Sequence, residues 1–157
     1  MALIVRELRI SDAPSCDDNV LSLPKWFGHE GGRAACAEAV REQGGIVAEE
    51  SGQVVGFVTW VRRTPETAEA TWMGVHRDER GKQVGTRIIE QLADDLRLGG
   101  FKLLLAMTSA ASRTPVSGPD AYDDTRQFWQ HRGFLLLGEF DLREWETNLA
   151  LVMVRPI

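Results

Sequence analysis

Residues 72–86 read Trp-Met-Gly-Val-His-Arg-Asp-Glu-Arg-Gly-Lys-Gln-Val-Gly-Thr, and this stretch decides the fold. A strand ends at Val75, a polar turn follows, and a helix begins near Lys82. Gly81 and Gly85 flank the helix start, and their missing Cβ atoms permit a close approach of ligand to backbone. Because the N–H groups of a first helical turn lack an intrahelical acceptor, the stretch predicts a phosphate site here.

The turn lacks the two best-known nucleotide-binding patterns. It has neither the Gly-Lys-Ser/Thr sequence of a P-loop nor the three spaced glycines of a dinucleotide fingerprint. Taken alone, its glycines have a second interpretation, in which they only permit a tight turn from strand to helix.

The segments beside the turn predict a strand, a helix and a second strand. Residues 68–75 form the first strand, and residues 82–98 form the helix, since apolar residues recur at every fourth position from Val84 to Leu96. A glycine pair ends the helix. Residues 101–107, which are apolar except for Lys102, are typical of a buried parallel strand.

The remaining segments extend this alternation of helices and strands. Ser51-Gly52 predicts a tight hairpin turn, and the long loop 108–120 is predicted to be functional or mobile. The order predicts one α/β (α+β) domain over residues 1–157, with a single mixed sheet that helices cover on both faces. We expect further strands at 3–10, 46–50, 53–62, 134–141 and 148–155, and further helices at 11–23, 30–43 and 121–132.

Composition argues against several classes of protein and site. The net charge of −5 and the lack of a basic run argue against nucleic-acid binding. No apolar run approaches the roughly 20 residues that cross a membrane, and the N-terminus is not a signal peptide, so we expect a cytoplasmic protein without membrane contact. Cys16 and Cys36 lack metal-ligand spacing, so we expect half-buried reduced thiols and no metal site.

Two motifs resemble those of the GNAT superfamily of N-acetyltransferases. Residues 80–85, Arg-Gly-Lys-Gln-Val-Gly, are similar to motif A, Gln/Arg-x-x-Gly-x-Gly/Ala, and residues 125–134 are similar to motif B, which often contains Phe-Tyr-x-x-x-Gly-Phe. The resemblance covers essentially the whole chain and implies the GNAT fold, with a mostly antiparallel sheet, and acetyl-CoA as co-substrate. It implies cofactor contacts from Met73, Gly74, Val75, Arg80, Gly81, Lys82, Gln83, Val84, Gly85, Thr86, Phe128 and Trp129.

Glu69 is the candidate general base. It precedes Val75 by six residues, the offset at which family members that use a glutamate base carry it. Because strand faces alternate, we expect its side chain to point the same way as those of Thr71, Met73 and Val75. The alternative is a solvated charge at the strand end, beside Glu66.

Tyr122 is the candidate acid. It is the only tyrosine and shares a helix face with Trp129, seven residues later. The alternative is a residue that packs the start of the helix. The leaving thiolate also needs no dedicated acid, since free thiols have a pKa of about 8.5.

Trp26, Phe27 and His29 are the candidate acceptor-binding residues. They lie between the first two helices, where this family often contacts its acceptor, and exposed aromatic rings bind an alkylammonium group through cation–π contact. The alternative is that Trp26 and Phe27 pack this loop onto the core.

The resemblance implies an acetyl-CoA-dependent N-acetyltransferase that acts on a primary amine of a small molecule, peptide or protein, as a monomer or homodimer. Two departures from the motifs favour an alternative, a non-catalytic acetyl-CoA-binding regulatory domain. Gln83 stands at the first glycine of motif A, and Trp129 replaces the usual tyrosine of motif B, whose proton an indole cannot supply. A third possibility is a plain α/β interaction domain.

Overall fold

The computed structural model describes residues 2–111, 120–142, 145 and 149–157. The strands are β1 (Ile4–Glu7), β2 (Gly44–Glu50), β3 (Gln53–Arg62), β4 (Thr67–Val75), β5 (Leu103–Ser109), β6 (Leu135–Phe140) and β7 (Ala150–Pro156). The helices are α1 (Ala13–Leu21), α2 (Glu30–Glu42), α3 (Val84–Leu98) and α4 (Asp123–His131). Short 3-10 turns lie at Ile10–Asp12 and Arg77–Glu79.

The strands form one seven-stranded sheet in the order β1-β2-β3-β4-β5-β7-β6. Only β4 and β5 pair in parallel, and every other neighbouring pair is antiparallel. The predicted mixed, mostly antiparallel sheet is confirmed, as is the hairpin turn, where Ser51 and Gly52 both have positive φ. Residues 112–119 of the predicted long loop lie outside the described part of the chain.

Helices cover both faces of the sheet, as predicted. The four apolar residues spaced along α3 from Val84 to Leu96 are buried in one core cluster with Ala70 and Trp129. α1 and α2 bury a second cluster on the opposite face, around Phe57 and Val47. We call these the α3 face and the α1/α2 face.

The parallel pair β4–β5 opens part-way along its length. Its register runs only from Thr67↔Leu103 to Ala70↔Ala106, although β4 continues to Val75 and β5 to Ser109. Beyond Ala106, β5 stays paired with β7 on its other side. The sheet therefore has a fork between β4 and β5, with a gap that widens beyond Ala70.

A β-bulge at Thr71 reverses the faces of β4 at this fork. Trp60 pairs with Ala70 and Thr59 pairs with Trp72, which leaves Thr71 as the extra residue. Met73 consequently packs on the α3 face, whereas Trp72 packs on the α1/α2 face.

The prediction that Glu69 points the same way as Met73 and Val75 is wrong. Ala70 packs on the α3 face, and side chains alternate along a strand, so Glu69 lies on the α1/α2 face. Met73 and Val75 pack on the α3 face. The error arises because the bulge adds one residue between them.

The two cysteines are free and fully buried between α1, α2 and the sheet, so the expectation of half-buried thiols is corrected. Burial raises the pKa of each thiol from 9.0 to about 12.

No helix in the described ranges is both long and apolar enough to cross a bilayer.

We expect the free energy of unfolding to fall as pH rises from about 9 towards 12. Below this window both states keep their thiol protons; within it, the unfolded chain loses them while the folded chain retains them. Each thiol should contribute a loss of about 1 kcal/mol per pH unit. Urea unfolding from pH 8 to 10.5 measures the slope. The double variant Cys16→Ala/Cys36→Ala is the control. If its unfolding free energy falls with pH as steeply as that of the wild type, the fall does not come from these two thiols.

Candidate functional site

The first turn of α3 presents backbone donors towards the fork. The cap residue Gln83 has no side-chain cap hydrogen bond, and the N–H of Arg87 makes the first helical bond, to the Gln83 carbonyl at 3.1 Å. Within the described ranges, the N–H groups of Val84, Gly85 and Thr86 have no hydrogen-bond acceptor. Unpaired donors at the positive end of a helix form a binding site for an anion.

The open edge of β4 leads to this turn. The His76 N–H donates to the Val55 carbonyl at 2.8 Å, on the β3 side. Because the backbone groups of successive strand residues point to alternate sides, those of Met73 and Val75 point to the β5 side. β5 has diverged from β4 there, so these groups are available to pair with an extended ligand.

α4 closes the α3 side of the fork. The Phe128 ring packs so closely on Gly85 that an added Cβ would lie 3.1 Å from it and 3.0 Å from the Met73 methyl group. The sequence suggested that Gly85 lets a ligand approach, whereas its immediate neighbours are these two side chains. Trp129 is buried, and its ring contacts those of Phe128 and Phe134.

Arg132, which caps α4, reaches the first turn of α3. One guanidinium nitrogen donates to the Thr86 hydroxyl, and the guanidinium carbon lies 4.7 Å from the centre of the Phe128 ring. Its Nε is buried and has no hydrogen-bond partner among the described residues. Sequence reasoning missed Arg132. Its position just before Gly133 in motif B could have marked it as a candidate, but the sequence gives no sign of its contact with Thr86, 46 residues earlier.

Trp26 joins the polar turn to α4 on the α1/α2 side. Its indole N–H donates to the Ala121 carbonyl at 2.8 Å, and the Arg80 guanidinium lies 4.2 Å above its ring. The Tyr122 hydroxyl donates to the Trp26 carbonyl at 3.3 Å, and burial raises the pKa of this phenol. The structure thus brings together Arg80, Trp26 and Tyr122, three of the predicted site residues.

The other two candidates from the acceptor side are separate from this cluster. Phe27 is buried against Trp72, with ring centres 6.1 Å apart, so it has no exposed face for a cation. His29 is exposed at the start of α2. The structure favours the packing interpretation for Phe27.

Glu69 lies one residue before the point where β4 and β5 separate, and only 6% of its surface is exposed to solvent. Arg63 Nε donates to its Oε2 at 2.5 Å. The alternative of a solvated strand-end charge is therefore wrong, and the neighbouring Glu66 pairs instead with Lys102. Beyond Glu69 on β4, the Thr71 hydroxyl bonds to Gln43 and to Thr59.

The family profile of the acetyltransferase (GNAT) domain matches residues 28–135, which is more than half of the chain. This chain belongs to the GNAT acetyltransferase family. A comparison with curated proteins finds no significant match.

Solved structures of GNAT proteins share the fold over nearly their whole length. A GNAT-family protein of Desulfovibrio desulfuricans superposes with a TM-score of 0.83 at 20% identity, with 99% of each chain covered. The ribosomal-protein-S18-alanine N-acetyltransferase of Escherichia coli gives 0.76 at 15% identity, covering 99% of this chain and 94% of that one. An aminoglycoside 6′-N-acetyltransferase complexed with coenzyme A gives 0.74 at 16% identity, covering 98% and 96%.

Gln83, the departure from the GNAT motif, has a glycine-like backbone. Its φ of 66° and ψ of 13° lie in the left-handed region, which glycine adopts without strain. Gly81, two residues earlier, has a φ of 78°. The substitution therefore keeps the shape of the motif and its N–H donor, at the cost of backbone strain.

We expect Gln83→Gly to raise the free energy of unfolding by about 0.5–1 kcal/mol. Relief of left-handed strain, about 1–2 kcal/mol, exceeds the roughly 0.5–1 kcal/mol that a more flexible unfolded chain costs. Gln83→Ala, which retains the strain, is the matched control. Urea unfolding of the three proteins measures the difference, and a Gln83→Gly variant no more stable than Gln83→Ala would contradict it.

Proposed function

We propose that this GNAT protein is an acetyl-CoA-dependent N-acetyltransferase that acetylates a primary amine of a small molecule, peptide or protein. The observation that carries the proposal is the fork between β4 and β5. It opens through the sheet, with the anion-binding turn of α3 on one face and Glu69 on the other. A cofactor bound along the α3 face can present its acyl end to an acceptor approaching from the α1/α2 face.

The residues at the fork fit acetyl-CoA. The backbone groups of Met73 and Val75 suit the amides of an extended pantetheine arm, and the unpaired N–H groups from Val84 to Thr86 suit its diphosphate. The buried, unpaired Nε of Arg132 adds a cationic donor at the same turn. When bound, acetyl-CoA would supply an activated acyl group as a thioester.

The remaining requirement is proton transfer. An amine that is cationic near neutral pH has to lose a proton before its nitrogen bonds to carbon, and Glu69 is the carboxylate beside the fork. Arg63 holds Oε2 and thereby fixes the orientation of the carboxylate. We assign to Glu69 the acceptance of the amine proton, directly or through one water.

No dedicated acid is assigned for the leaving sulfur. Tyr122 already donates its hydroxyl hydrogen to the Trp26 carbonyl, which supports a role in packing α4 against the loop before α2. Trp129 is enclosed in the α3-side core. A thiol of ordinary pKa, about 8.5, leaves as a thiolate that water can protonate.

The alternative of a non-catalytic acetyl-CoA-binding domain rested on Gln83 and Trp129. Gln83 preserves the backbone conformation and N–H donor of the motif, so this departure gives little support to a loss of function. Transfer assays with a panel of amines separate the two functions, because a regulatory domain binds acetyl-CoA without releasing free thiol.

We expect acetyl-CoA to stabilise the folded protein by about 2.7 kcal/mol at a hundredfold excess over its dissociation constant. Thermal unfolding with and without the ligand measures this as a rise in Tm. Acetate and free adenine are controls that lack the pantetheine and diphosphate. An unchanged Tm at millimolar acetyl-CoA would contradict both the enzyme and the regulatory function.

We expect Glu69→Gln to lower turnover by about 10²–10³ and to leave acetyl-CoA affinity unchanged, since a general base contributes about this much and Glu69 faces the acceptor side. Activity should recover in part at high pH, where the amine is already neutral. Glu66→Gln, which breaks the exposed pair with Lys102, is the matched control. Full activity of Glu69→Gln at neutral pH would show that positioning supplies the acceleration instead.

A further inference from the structure

Arg132 places a positive charge beside the N-terminus of α3, which is already the positive end of the helix dipole. Its guanidinium bonds to Thr86 in the first turn of α3, at the positive end of the helix dipole. That first turn contains no acidic residue. Two like charges brought together in a partly buried position are unfavourable unless an anion lies between them.

Carboxylates neutralise other arginines along α3 but not this one. Arg155 is bidentate to Glu90, and Arg97 pairs with Asp94 at 2.7 Å. Within the described ranges, Arg132 forms no salt bridge, and its Nε is buried without a partner. A buried donor of this kind is costly to leave unpaired, which points to a ligand that completes it.

The orientation of Arg132 is fixed by its neighbours. The guanidinium stacks on the Phe128 ring, which is itself wedged against Gly85. The Thr86 hydroxyl accepts one of its hydrogens, and Nε and the remaining hydrogens are left for a planar, two-pronged contact. Two phosphate oxygens match the paired N–H groups of a guanidinium better than a single acceptor atom does.

We propose that Arg132 binds the diphosphate of the cofactor from the α4 side, opposite the amides of the α3 turn. This inference rests on the proposed function, but it concerns a residue outside the phosphate-binding turn of motif A. Arg132 would clamp the diphosphate between two helices that otherwise meet through Phe128 and the Thr86 bond. The cofactor would then hold α4 against α3.

Isothermal titration with three ligands tests the contact: acetyl-CoA, 3′-dephospho-acetyl-CoA and S-acetyl-pantetheine. We expect Arg132→Gln to weaken both phosphate-bearing cofactors equally, by about 10–100-fold, because a charge-assisted contact is lost. Binding of S-acetyl-pantetheine should not change. Arg132→Lys should lose less affinity, since lysine keeps the positive charge but not the paired N–H groups of the guanidinium. Arg97→Gln, at the opposite end of α3, is the matched control and should bind like the wild type.

Each outcome decides the proposal. Equal acetyl-CoA affinity of Arg132→Gln and wild type would overturn it, as would a loss confined to acetyl-CoA, which would place Arg132 on the 3′-phosphate. A loss shared by S-acetyl-pantetheine would indicate a structural role. If Arg132→Gln does not fold, Arg132→Lys and Thr86→Val carry the comparison, and unchanged affinity in both overturns the proposal. A wild-type protein that binds none of the three ligands would overturn the proposed function itself.

Discussion

The divergence of two parallel strands is the constraint on which the site depends. β4 and β5 separate after Ala70 and Ala106, which leaves backbone donors and acceptors of β4 without a neighbouring strand. Unpaired groups at the centre of a sheet are unfavourable unless other partners satisfy them. The bulge at Thr71 begins at this point, where the hydroxyls of Thr59 and Thr71 bond to each other and the Thr59 hydroxyl accepts from the Trp72 N–H. Only eight residues separate the end of β4 from the start of α3, so the first turn of α3 lies beside the same gap.

Local pattern was enough to predict the elements, and long-range geometry was not. The fourfold spacing in α3 and the apolar run of β5 indicated both the elements and their burial, because each depends on neighbours along the chain. The orientation of Glu69 was mispredicted because alternation assumes a regular strand, and no side-chain pattern marks the bulge at Thr71. The contact of Arg132 with Thr86 depends on how α4 meets α3, which spacing along the sequence does not encode.

The glycine positions of the motif serve different physical purposes, which explains why one tolerates substitution. Position 83 requires a left-handed backbone, which a glutamine adopts with strain while still offering its N–H. Position 85 leaves little room for a Cβ, because Phe128 and Met73 lie so close that they would have to shift to admit it. A missing motif residue therefore predicts a loss of function only when the requirement at its position is known.

Glu69, the proposed base, forms an ion pair with Arg63 beside the fork. In the proposed reaction, a proton accepted by Glu69 removes the negative charge that pairs with Arg63 and so weakens the contact that orients the carboxylate. Arg63 extends to solvent, with 54% of its side chain exposed, and can remain hydrated while the pair loosens. In the proposed reaction, Arg63 therefore holds the carboxylate until it accepts a proton and releases it afterwards. Glu69 and the first turn of α3 lie on opposite faces of the sheet, so this change would occur on the α1/α2 face.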